Sequence, residues 1–345
     1  MNVLILHDEL PPDARPDELD VFTQVRAIGA ALEALGHRWS AAGVTLDLAA
    51  LQRRLGEPPT CDVVINLVES LARRMRLAHC VPALLDALGV PYTGAPTEGL
   101  FLTCGKTTAK RHLARCGIAT PPWVEEGGET DPHAAFLPGR YIIKSVWEHA
   151  SLGLDDDAIV EASSADDLRP VIRSRRERLG GEAFAEAFID GREFNLALLE
   201  SAPEPAAPRG AAVTHGRAPA EVFPPAEITF VDYAPDKPKI VGYAAKWAEE
   251  SFEYNRTPRR FAFPPEDAPL VGRLRELALQ CWDVFRLRGY VRVDFRVDEH
   301  GAPWVLEINA NPCLSPDAGY MAAAAEAGLT YRDVVERLLR AAVAR

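Results

Sequence analysis

Two carboxylates and an amide, Asp294, Glu307 and Asn309, are the residues whose types and spacing point most directly to chemistry. They lie in two segments, 292–297 and 303–312, in which apolar and polar residues alternate. Alternation with period two on both sides of a Gly-containing turn predicts a β-hairpin. One face of this hairpin is apolar and suits a core, and the other face brings the three polar side chains together.

The pairing of the two predicted strands follows from the position of the turn. With residues 300–301 at its centre, Asp294 faces Glu307. Arg292 then faces Asn309. On the apolar side the same register predicts three pairs: Val293 with Ile308, Phe295 with Leu306, and Val297 with Trp304.

Opposed carboxylates on a hairpin need a positive partner. Their Cβ atoms are about 5 Å apart, and like charges so placed destabilise a sheet. Oxygen ligands from Asp, Glu and Asn suit Mg²⁺, which takes one or two protein carboxylates and leaves its other positions to water and phosphate oxygens. We therefore predict a metal site at Asp294, Glu307 and Asn309. The alternative is a solvated charged face on which Arg296 neutralises its neighbours.

Composition narrows the class of protein. A chain of 345 residues that is 48% hydrophobic is globular and long enough for two or three domains. Its net charge of −12 argues against a nucleic-acid or anionic-membrane binder, so an anionic ligand requires a local cluster of cations. The six cysteines form no C-x-x-C pair, which favours a reducing compartment. Without a long apolar run or a signal-peptide pattern, we expect a cytoplasmic protein.

The hydrophobic pattern predicts an α/β (α+β) fold in three parts. Residues 1–95 follow βαβαβ order, which indicates a small parallel α/β domain. Its predicted elements are strands at 3–6, 62–68 and 90–94 and helices at 18–35 and 77–88.

The remaining chain has a mixed pattern, which we divide into residues 96–185 and 186–345. Its predicted elements are helices at 106–116 and 165–179 and strands at 141–144, 158–161, 184–189 and 193–199. Asp190-Gly191 between the last two strands predicts a tight turn. The Pro/Ala-rich segment 201–225 has little periodicity and is predicted to be a mobile insertion between antiparallel strands.

Three lysines agree with the hairpin and point to a family. Lys106 opens a helix, Lys144 ends a strand, and Lys246 lies in the sequence Tyr-Ala-Ala-Lys-Trp. Together with the hairpin, these residues make the chain from Lys106 onward resemble an ATP-grasp ligase of the D-alanine–D-alanine ligase branch. The resemblance implies an ATP-grasp fold, with an N-terminal parallel α/β domain followed by two ATP-binding subdomains that have antiparallel sheets.

The resemblance also implies how the phosphates of ATP are held. Lys106 and Lys144 match the family's nucleotide-binding lysines, and Lys246 matches the lysine before the loop that closes over the γ-phosphate. The segment 148–154 resembles the flexible loop that covers the phosphates, where small residues let backbone N–H groups approach the oxygens. Ser151 in this loop is expected to assist catalysis.

For the adenosine, the resemblance concerns the segment 186–194. Glu186 matches the residue that accepts the adenine amino hydrogen. Backbone groups near Phe188 and Ile189 are expected to read the purine edge, and Glu193 to bind the ribose hydroxyls.

For the reacting groups, Asp294, Glu307 and Asn309 match the family's metal ligands. Arg292 matches the arginine that stabilises charge on the acyl phosphate. The implied cofactors are ATP and Mg²⁺, with two ions about 4 Å apart, Glu307 bridging them, and Mn²⁺ able to substitute.

These residues predict ligation of a carboxylate to an amine. The two do not condense in neutral water without activation, so the carboxylate first takes the γ-phosphoryl group of ATP and becomes an acyl phosphate. The amine then displaces phosphate. Such transfer depends on positioning and charge neutralisation more than on covalent help from the protein.

The substrate-binding motifs depart from the family pattern. Only segment 18–21 keeps the spacing of the family's acidic patch, which makes Glu18 the predicted anchor for a substrate ammonium. Cys313 stands where the family has a glycine, and Ala318 replaces its carboxylate-binding serine. We therefore predict another amino acid, or an amine without the usual carboxylate, as substrate.

Other functions remain open at this point. An authentic D-alanine–D-alanine ligase is the first alternative, and an ATP-grasp carboxylase or kinase and a non-catalytic nucleotide-binding module are the others. The expected partners are small-molecule amino acid and amine substrates, without nucleic acid or membrane. A homodimer is left open.

Overall fold

The structure, a computed structural model, describes residues 1–56, 59–127, 136–148, 151, 153–201 and 219–344. The helices in these ranges are α1 (Pro16–Ala34), α2 (Leu48–Leu55), α3 (Cys80–Leu88), α4 (Thr97–Cys104), α5 (Lys106–Arg115), α6 (Ala165–Arg175), α7 (Tyr243–Trp247), α8 (Phe252–Asn255), α9 (Ala268–Val284), α10 (Gly319–Glu326) and α11 (Tyr331–Val343). The strands are β1 (Asn2–Asp8), β2 (Arg38–Val44), β3 (Val63–Asn66), β4 (Trp123–Glu125), β5 (Gly139–Ser145), β6 (Ile159–Ala162), β7 (Ala183–Ala187), β8 (Arg192–Glu200), β9 (Ala220–Val222), β10 (Ala226–Ile228), β11 (Arg259–Arg260), β12 (Tyr290–Val297) and β13 (Pro303–Asn309). One parallel and two antiparallel sheets result, which confirms the predicted fold class.

The N-terminal sheet has the order β2-β1-β3 with parallel pairing. Its edge strand β2 is missing from the sequence prediction, because its sequence Arg-Trp-Ser-Ala-Ala-Gly-Val is mostly small or polar. The strand predicted at 90–94 is reduced to one bridge, between Val64 and Tyr92. Val90 and Tyr92 are apolar because they are buried in the core of this domain.

The central sheet has the order β4-β7-β5-β6 and is antiparallel. Strands β7 and β8 belong to different sheets, so the turn predicted at 190–191 is a crossover between sheets rather than a hairpin turn. At Gly191, where φ is 148°, a Cβ atom would lie 2.0 Å from the carbonyl oxygen of Val297. Only glycine fits this crossover.

The third sheet has the order β11-β10-β8-β12-β13, and β9 pairs with β8. Strand β9 lies inside the segment 201–225 that the sequence analysis treats as a mobile insertion, so the end of that segment is a paired strand. Residues 202–218 lie outside the described residues.

The hairpin β12–β13 has the predicted register at its functional end only. Asp294 pairs with Glu307 as predicted, but the register shifts after Asp294 and places Phe295 opposite Val305. The predicted partners of Phe295 and Val297 are therefore wrong. The side chain of Asp298 accepts the N–H groups of residues 300 and 302, each at 2.9 Å, and this turn is one residue longer than predicted. The register shift leaves Leu306 of β13 without a partner strand residue, which makes it a β-bulge beside the site.

Helix α11 packs against α1, so the last helix of the chain completes the core of the first domain. Ile28 and Leu32 of α1 and Val335 and Leu338 of α11 are all buried in one cluster. The N-terminal domain also contacts the loop after β13, where Asn311 Nδ2 donates to Val68 O at 3.2 Å. Among the described helices, none is both long and apolar enough to cross a bilayer.

Candidate active site

The polar face of the β12–β13 hairpin brings the predicted metal ligands together. The carboxylate of Asp294 accepts two hydrogen bonds from Arg292, at 2.7 and 2.8 Å, and one from Asn195 Nδ2 at 2.8 Å. Glu307 Oε1 lies 3.4 Å from Lys106 Nζ. Repulsion between the two opposed carboxylates is thus offset by two cations, one from β12 itself and one from the start of α5.

The donor set of this face fits a hard divalent cation. Asp294, Glu307 and Asn309 offer only oxygen ligands, as Mg²⁺ prefers. Asn309 Oδ1 accepts the N–H of Asn311 at 3.0 Å, and an amide oxygen has a second lone pair for a metal. No cluster of three or more His, Cys, Asp or Glu side chains occurs in the part of the chain that is described, so water and phosphate oxygens would complete the coordination.

Arg292 remains a charged group inside this site. Burial alone would lower the pKa of its guanidinium, but the bidentate contact with Asp294 outweighs that and raises the pKa above its ordinary value. The guanidinium is therefore a permanent positive charge next to the metal ligands.

A buried ion triad lies on the neighbouring sheet. Lys144 Nζ donates to Glu186 Oε1 at 2.5 Å, and Lys110 Nζ lies 2.6 Å from Glu186 Oε2. Burial favours a higher pKa for Glu186, but the two lysines hold its pKa below the ordinary value. Sequence analysis missed Lys110, although its position one helical turn after Lys106 on α5 is the signal that places it on the same face.

The segment predicted to hold adenosine lies between the two antiparallel sheets. The N–H of Phe188 donates to Arg140 O at 2.9 Å, and the guanidinium of Arg140 stacks on the Phe188 ring at 4.8 Å. Glu193 forms an ion pair with Arg296, with 2.8 Å between Oε2 and Nη2. Arg296 therefore neutralises Glu193 rather than the hairpin carboxylates. Ile189 lies next in the chain, at the start of the crossover that ends at Gly191.

Lys246 lies on the short helix α7, half-buried and close to the hairpin. Burial lowers the pKa of its ammonium group, and the positive charge of Arg292 lowers it further. Glu307, Asp294 and Glu193 act in the opposite direction. The structure thus brings Lys246 into the same electrostatic site as the predicted metal ligands.

The phosphate loop predicted at 148–154 contacts the approach to α7. Ser151 has a φ of 60° and donates its hydroxyl to Val241 O at 2.9 Å, and Tyr243 N donates to Leu154 O at 3.3 Å. Residues 149, 150 and 152 lie outside the described residues. Two segments expected to cover the phosphates therefore contact each other.

Glu18 lies at the third position of α1, where its carboxylate is already bound. Arg73 donates two hydrogen bonds to it, at 2.8 and 3.0 Å, and the N–H of Arg15 donates a third at 2.7 Å. The neighbouring Asp20 accepts the hydroxyl of Ser315 at 2.7 Å and the thiol of Cys313 at 3.0 Å. Asp20 thereby holds the loop after β13 against α1.

We expect Glu18→Ala to raise the KM of an amine-bearing substrate about tenfold with little effect on the KM of ATP, because an ammonium would lose one charged partner. Loss of the helix-end hydrogen bond should also cost about 1 kcal/mol of unfolding free energy. Steady-state kinetics and urea denaturation measure the two effects. Asp13→Ala is the control, since Asp13 shares Arg73 but is exposed; an equal KM change in both variants contradicts the role of Glu18.

Glu69, which follows β3, lies near several other carboxylates. Burial, followed by the charges of Asp8, Asp20, Asp17 and Glu148, raises the pKa of Glu69 to about 8. A carboxyl group of this kind holds its proton near neutral pH.

This pKa predicts a pH dependence of stability. The folded state binds a proton at Glu69 that the unfolded state releases above its ordinary pKa, so unfolding free energy should fall as pH rises toward about 8. Glu69→Gln should remove that fall and be more stable than the wild type at pH 8 but not at pH 5. Denaturant titrations at both pH values test this, and parallel pH profiles of the two proteins would refute it.

Comparison with known proteins agrees with this geometry. The family model described as D-ala D-ala ligase C-terminus matches residues 140–340. The chain is 28% identical over 297 residues to the uncharacterized protein y4sG of Sinorhizobium fredii, covering 85% of this chain and 79% of that protein. It is 28% identical over 325 residues to the D-alanine–D-alanine ligase of Gluconobacter oxydans, covering 92% and 93%.

Solved structures show the same fold. The D-alanine–D-alanine ligase of Bacillus anthracis complexed with ATP matches with a TM-score of 0.70 at 18% identity, covering 100% of this chain and 98% of that chain. Fold and site together define an ATP-dependent carbon–nitrogen ligase of the ATP-grasp type. Within that class, the chain belongs to the D-alanine–D-alanine ligase family.

Proposed function

We propose that this protein joins a carboxylate to an amine through an acyl phosphate, and that at least one of its substrates differs from D-alanine. The observation that carries the proposal is the convergence of Lys106, Lys246 and Arg292 on the carboxylates of Asp294 and Glu307. The chain as a whole has a net charge of −12, yet here three cations face two carboxylates. A local positive excess on an acidic protein suits an anionic ligand.

The proposed roles follow from these positions. Asp294, Glu307 and Asn309 would hold two Mg²⁺ ions, for which Mn²⁺ could substitute. The metal would neutralise phosphate oxygens during transfer. Lys106 and Lys246 bind phosphates of ATP. Their charge stabilises a transition state that spreads negative charge over the transferred phosphoryl group.

Arg292 then acts on the acyl phosphate. Its guanidinium is rigidly held by Asp294, at 2.7 and 2.8 Å, so it meets developing charge without having to reorganise. The amine attacks the acyl carbon, the carbon–nitrogen bond forms, and inorganic phosphate leaves.

For the adenosine, the proposed contacts are Glu186 with the amino group, Phe188 and Ile189 with the purine edge, and Glu193 with the ribose. Phe188 N–H already donates to Arg140 O, which leaves the purine edge to other backbone groups of this segment. Lys144 contacts Glu186, so it reaches the phosphates only by exchanging that partner. Ser151 and Glu18 complete the proposed site from the phosphate loop and from α1.

The altered substrate specificity is supported by the loop after β13. Cys313 donates its thiol to Asp20 at 3.0 Å, and Ser315 N donates to the Cys313 sulfur at 3.3 Å. A side chain therefore fills the position at which the resemblance expects glycine, and Ala318 supplies no hydroxyl at the start of α10.

Measurement of ADP and phosphate release tests the proposal. The protein is incubated with ATP, Mg²⁺ and a panel of D- and L-amino acids and amines, and products are identified by mass spectrometry. A condensed product formed with one ADP per bond is the expected result. ATP hydrolysis without any condensed product would overturn the proposed function.

D-alanine–D-alanine ligation is the second candidate. It is supported by the similarity to named ligases along nearly the whole of both chains, such as 92% and 93% for the Gluconobacter oxydans enzyme. The same panel decides between the two, because D-alanine as the best substrate in both positions would favour the second candidate.

A further inference from the structure

Arg259, in the loop after α7, differs from the nearby arginines because no carboxylate of the described residues is its hydrogen-bond partner. Arg256 pairs with the carboxylate of Asp232 at 2.9 Å, and Arg260 donates to Glu227 Oε2 at 3.1 Å. Arg259 instead makes a long hydrogen bond of 3.4 Å to a backbone oxygen of residue 317. Adjacent residues of a strand point to opposite faces, so Arg260 faces the sheet's own ion network while Arg259 points away from it.

The side chain of Arg259 lies against the first residue of α10. A Cβ atom at Gly319 would be 3.2 Å from Arg259 Nε and 3.6 Å from its Cζ. Helix α10 begins at this glycine, and its preceding residue, Ala318, provides no side-chain cap. A guanidinium at the positive end of a helix is unfavourable unless an anion lies between them.

The surroundings of Arg259 add to this excess of positive charge. Burial lowers the pKa of Arg259, and the nearby charge of Arg292 lowers it further. Lys246 experiences the same two effects. Asp317, Tyr254 and Cys313 act in the opposite direction on Arg259, although its overall pKa remains lowered. Arg259 and Lys246 therefore both lie within electrostatic reach of Arg292, and Arg259 alone contacts the start of α10.

We infer that Arg259 binds the carboxylate of the amine-donating substrate, which makes that substrate an amino acid rather than a simple amine. The inference rests on the proposed ligase function and specifies one of its two substrates. Lys246 and Arg292 are positioned for the phosphoryl group, whereas Arg259 lies on the side of the 313–319 loop. A planar guanidinium there forms a bidentate contact with a carboxylate.

The test compares amino acids with their amides as acceptors. The wild type should use each productive acid far better than the matching amide. Arg259→Ala should raise the KM of the acid about 10- to 100-fold, leave the KM of ATP unchanged, and remove the preference for acid over amide. Arg259→Lys, which keeps the charge but loses the planar fork, should fall between the two.

Arg256→Ala is the matched control, because it removes the same charge from the same loop at a site where the guanidinium pairs with Asp232 instead of contacting the start of α10. Equal use of acids and amides by the wild type, an unchanged acid KM in Arg259→Ala, or an equal rise in Arg256→Ala would overturn the inference. A rise in the KM of ATP instead would assign Arg259 to the phosphates and would overturn it as well.

A second measurement separates this inference from the proposed function. If no pair of substrates is turned over, the proposed function fails, and the inference is decided by thermal shift with Mg²⁺, a non-hydrolysable ATP analogue and the same acids and amides. Stabilisation by an acid, absent with its amide and lost only in Arg259→Ala, supports the inference. Stabilisation that persists in Arg259→Ala, or none with any acid, overturns it.

Discussion

Glu307→Gln should reduce turnover by about 10³-fold or more, because a neutral amide cannot neutralise metal charge beside the reacting phosphates. The fold should survive. Lys106, which lies 3.4 Å from Glu307, keeps a second acceptor in Glu148 O at 2.6 Å. Loss of the Lys106 contact is offset by relief of the repulsion between Glu307 and Asp294, so we expect the free energy of unfolding to change by about 1 kcal/mol or less. ADP release under saturating substrates measures the activity, and Mn²⁺ binding followed by electron paramagnetic resonance measures the metal.

The hairpin supplies its own control for this variant. Glu299, at the turn, is 85% exposed, so Glu299→Gln makes the same chemical change away from the site. Asp294→Asn would be a poorer test because it also releases Arg292 from its two hydrogen bonds. Wild-type turnover in Glu307→Gln, unaltered Mn²⁺ binding, or an equal loss in Glu299→Gln would remove Glu307 from the metal site.

The hairpin also shows how far sequence alone determines the site. Alternation with period two fixes which residues share a face, so the pair of Asp294 and Glu307 follows from the sequence. The pairing of Phe295 does not, because the side chain of Asp298 lengthens the turn by bonding two backbone N–H groups. A turn residue competing with the strand ladder is invisible to a hydrophobic pattern.

Elements with weak apolar patterns are missing from the sequence prediction for a similar reason. Strand β2 is an edge strand with only part of its length buried, and the short helices α2 and α4 lie between longer elements that dominate the pattern. Their existence depends on tertiary packing, of β2 on β1, of α2 on α3 and of α4 on β13, which no local window of sequence reports.

Ion pairs between distant segments are the other part that sequence could not provide. Glu186 and Lys110 are 76 positions apart, and their contact at 2.6 Å exists only because the fold brings the side chain of Lys110 on α5 to that of Glu186 on β7. Arg259 is held in place because β11 pairs with β10 over two residues. Strand β10 is far from the hairpin in sequence. Residue types predict which chemistry the candidate site could perform. Tertiary contacts determine which cation pairs with which carboxylate.

The loop after Lys246 is predicted to open and close over the nucleotide. The sequence predicts a long surface loop at 247–260, and the structure adds the short helix α8 and the two-residue strand β11 to it. Phe252 and Tyr254 are exposed on this segment. Lys237 links it to the 156–158 turn through ion pairs with Glu253 and Asp156, at 2.9 and 2.8 Å. Each of these partly exposed pairs contributes about 1 kcal/mol or less, so the contact with the 156–158 turn can separate at low cost.

Lys246→Ala should lower kcat by about 10³-fold and leave this loop open when ATP is bound, because the γ-phosphate loses the cation that couples it to α7. An acyl phosphate is destroyed by water, which gives closure a chemical purpose. Limited trypsin digestion between Arg256 and Arg260 reports the state of the loop. Mg²⁺ with a non-hydrolysable ATP analogue should slow cleavage in the wild type and in the exposed-site control Lys239→Ala, but not in Lys246→Ala. Equal cleavage rates with and without the analogue in the wild type would exclude a nucleotide-driven lid, and normal protection in Lys246→Ala would assign the coupling to another residue.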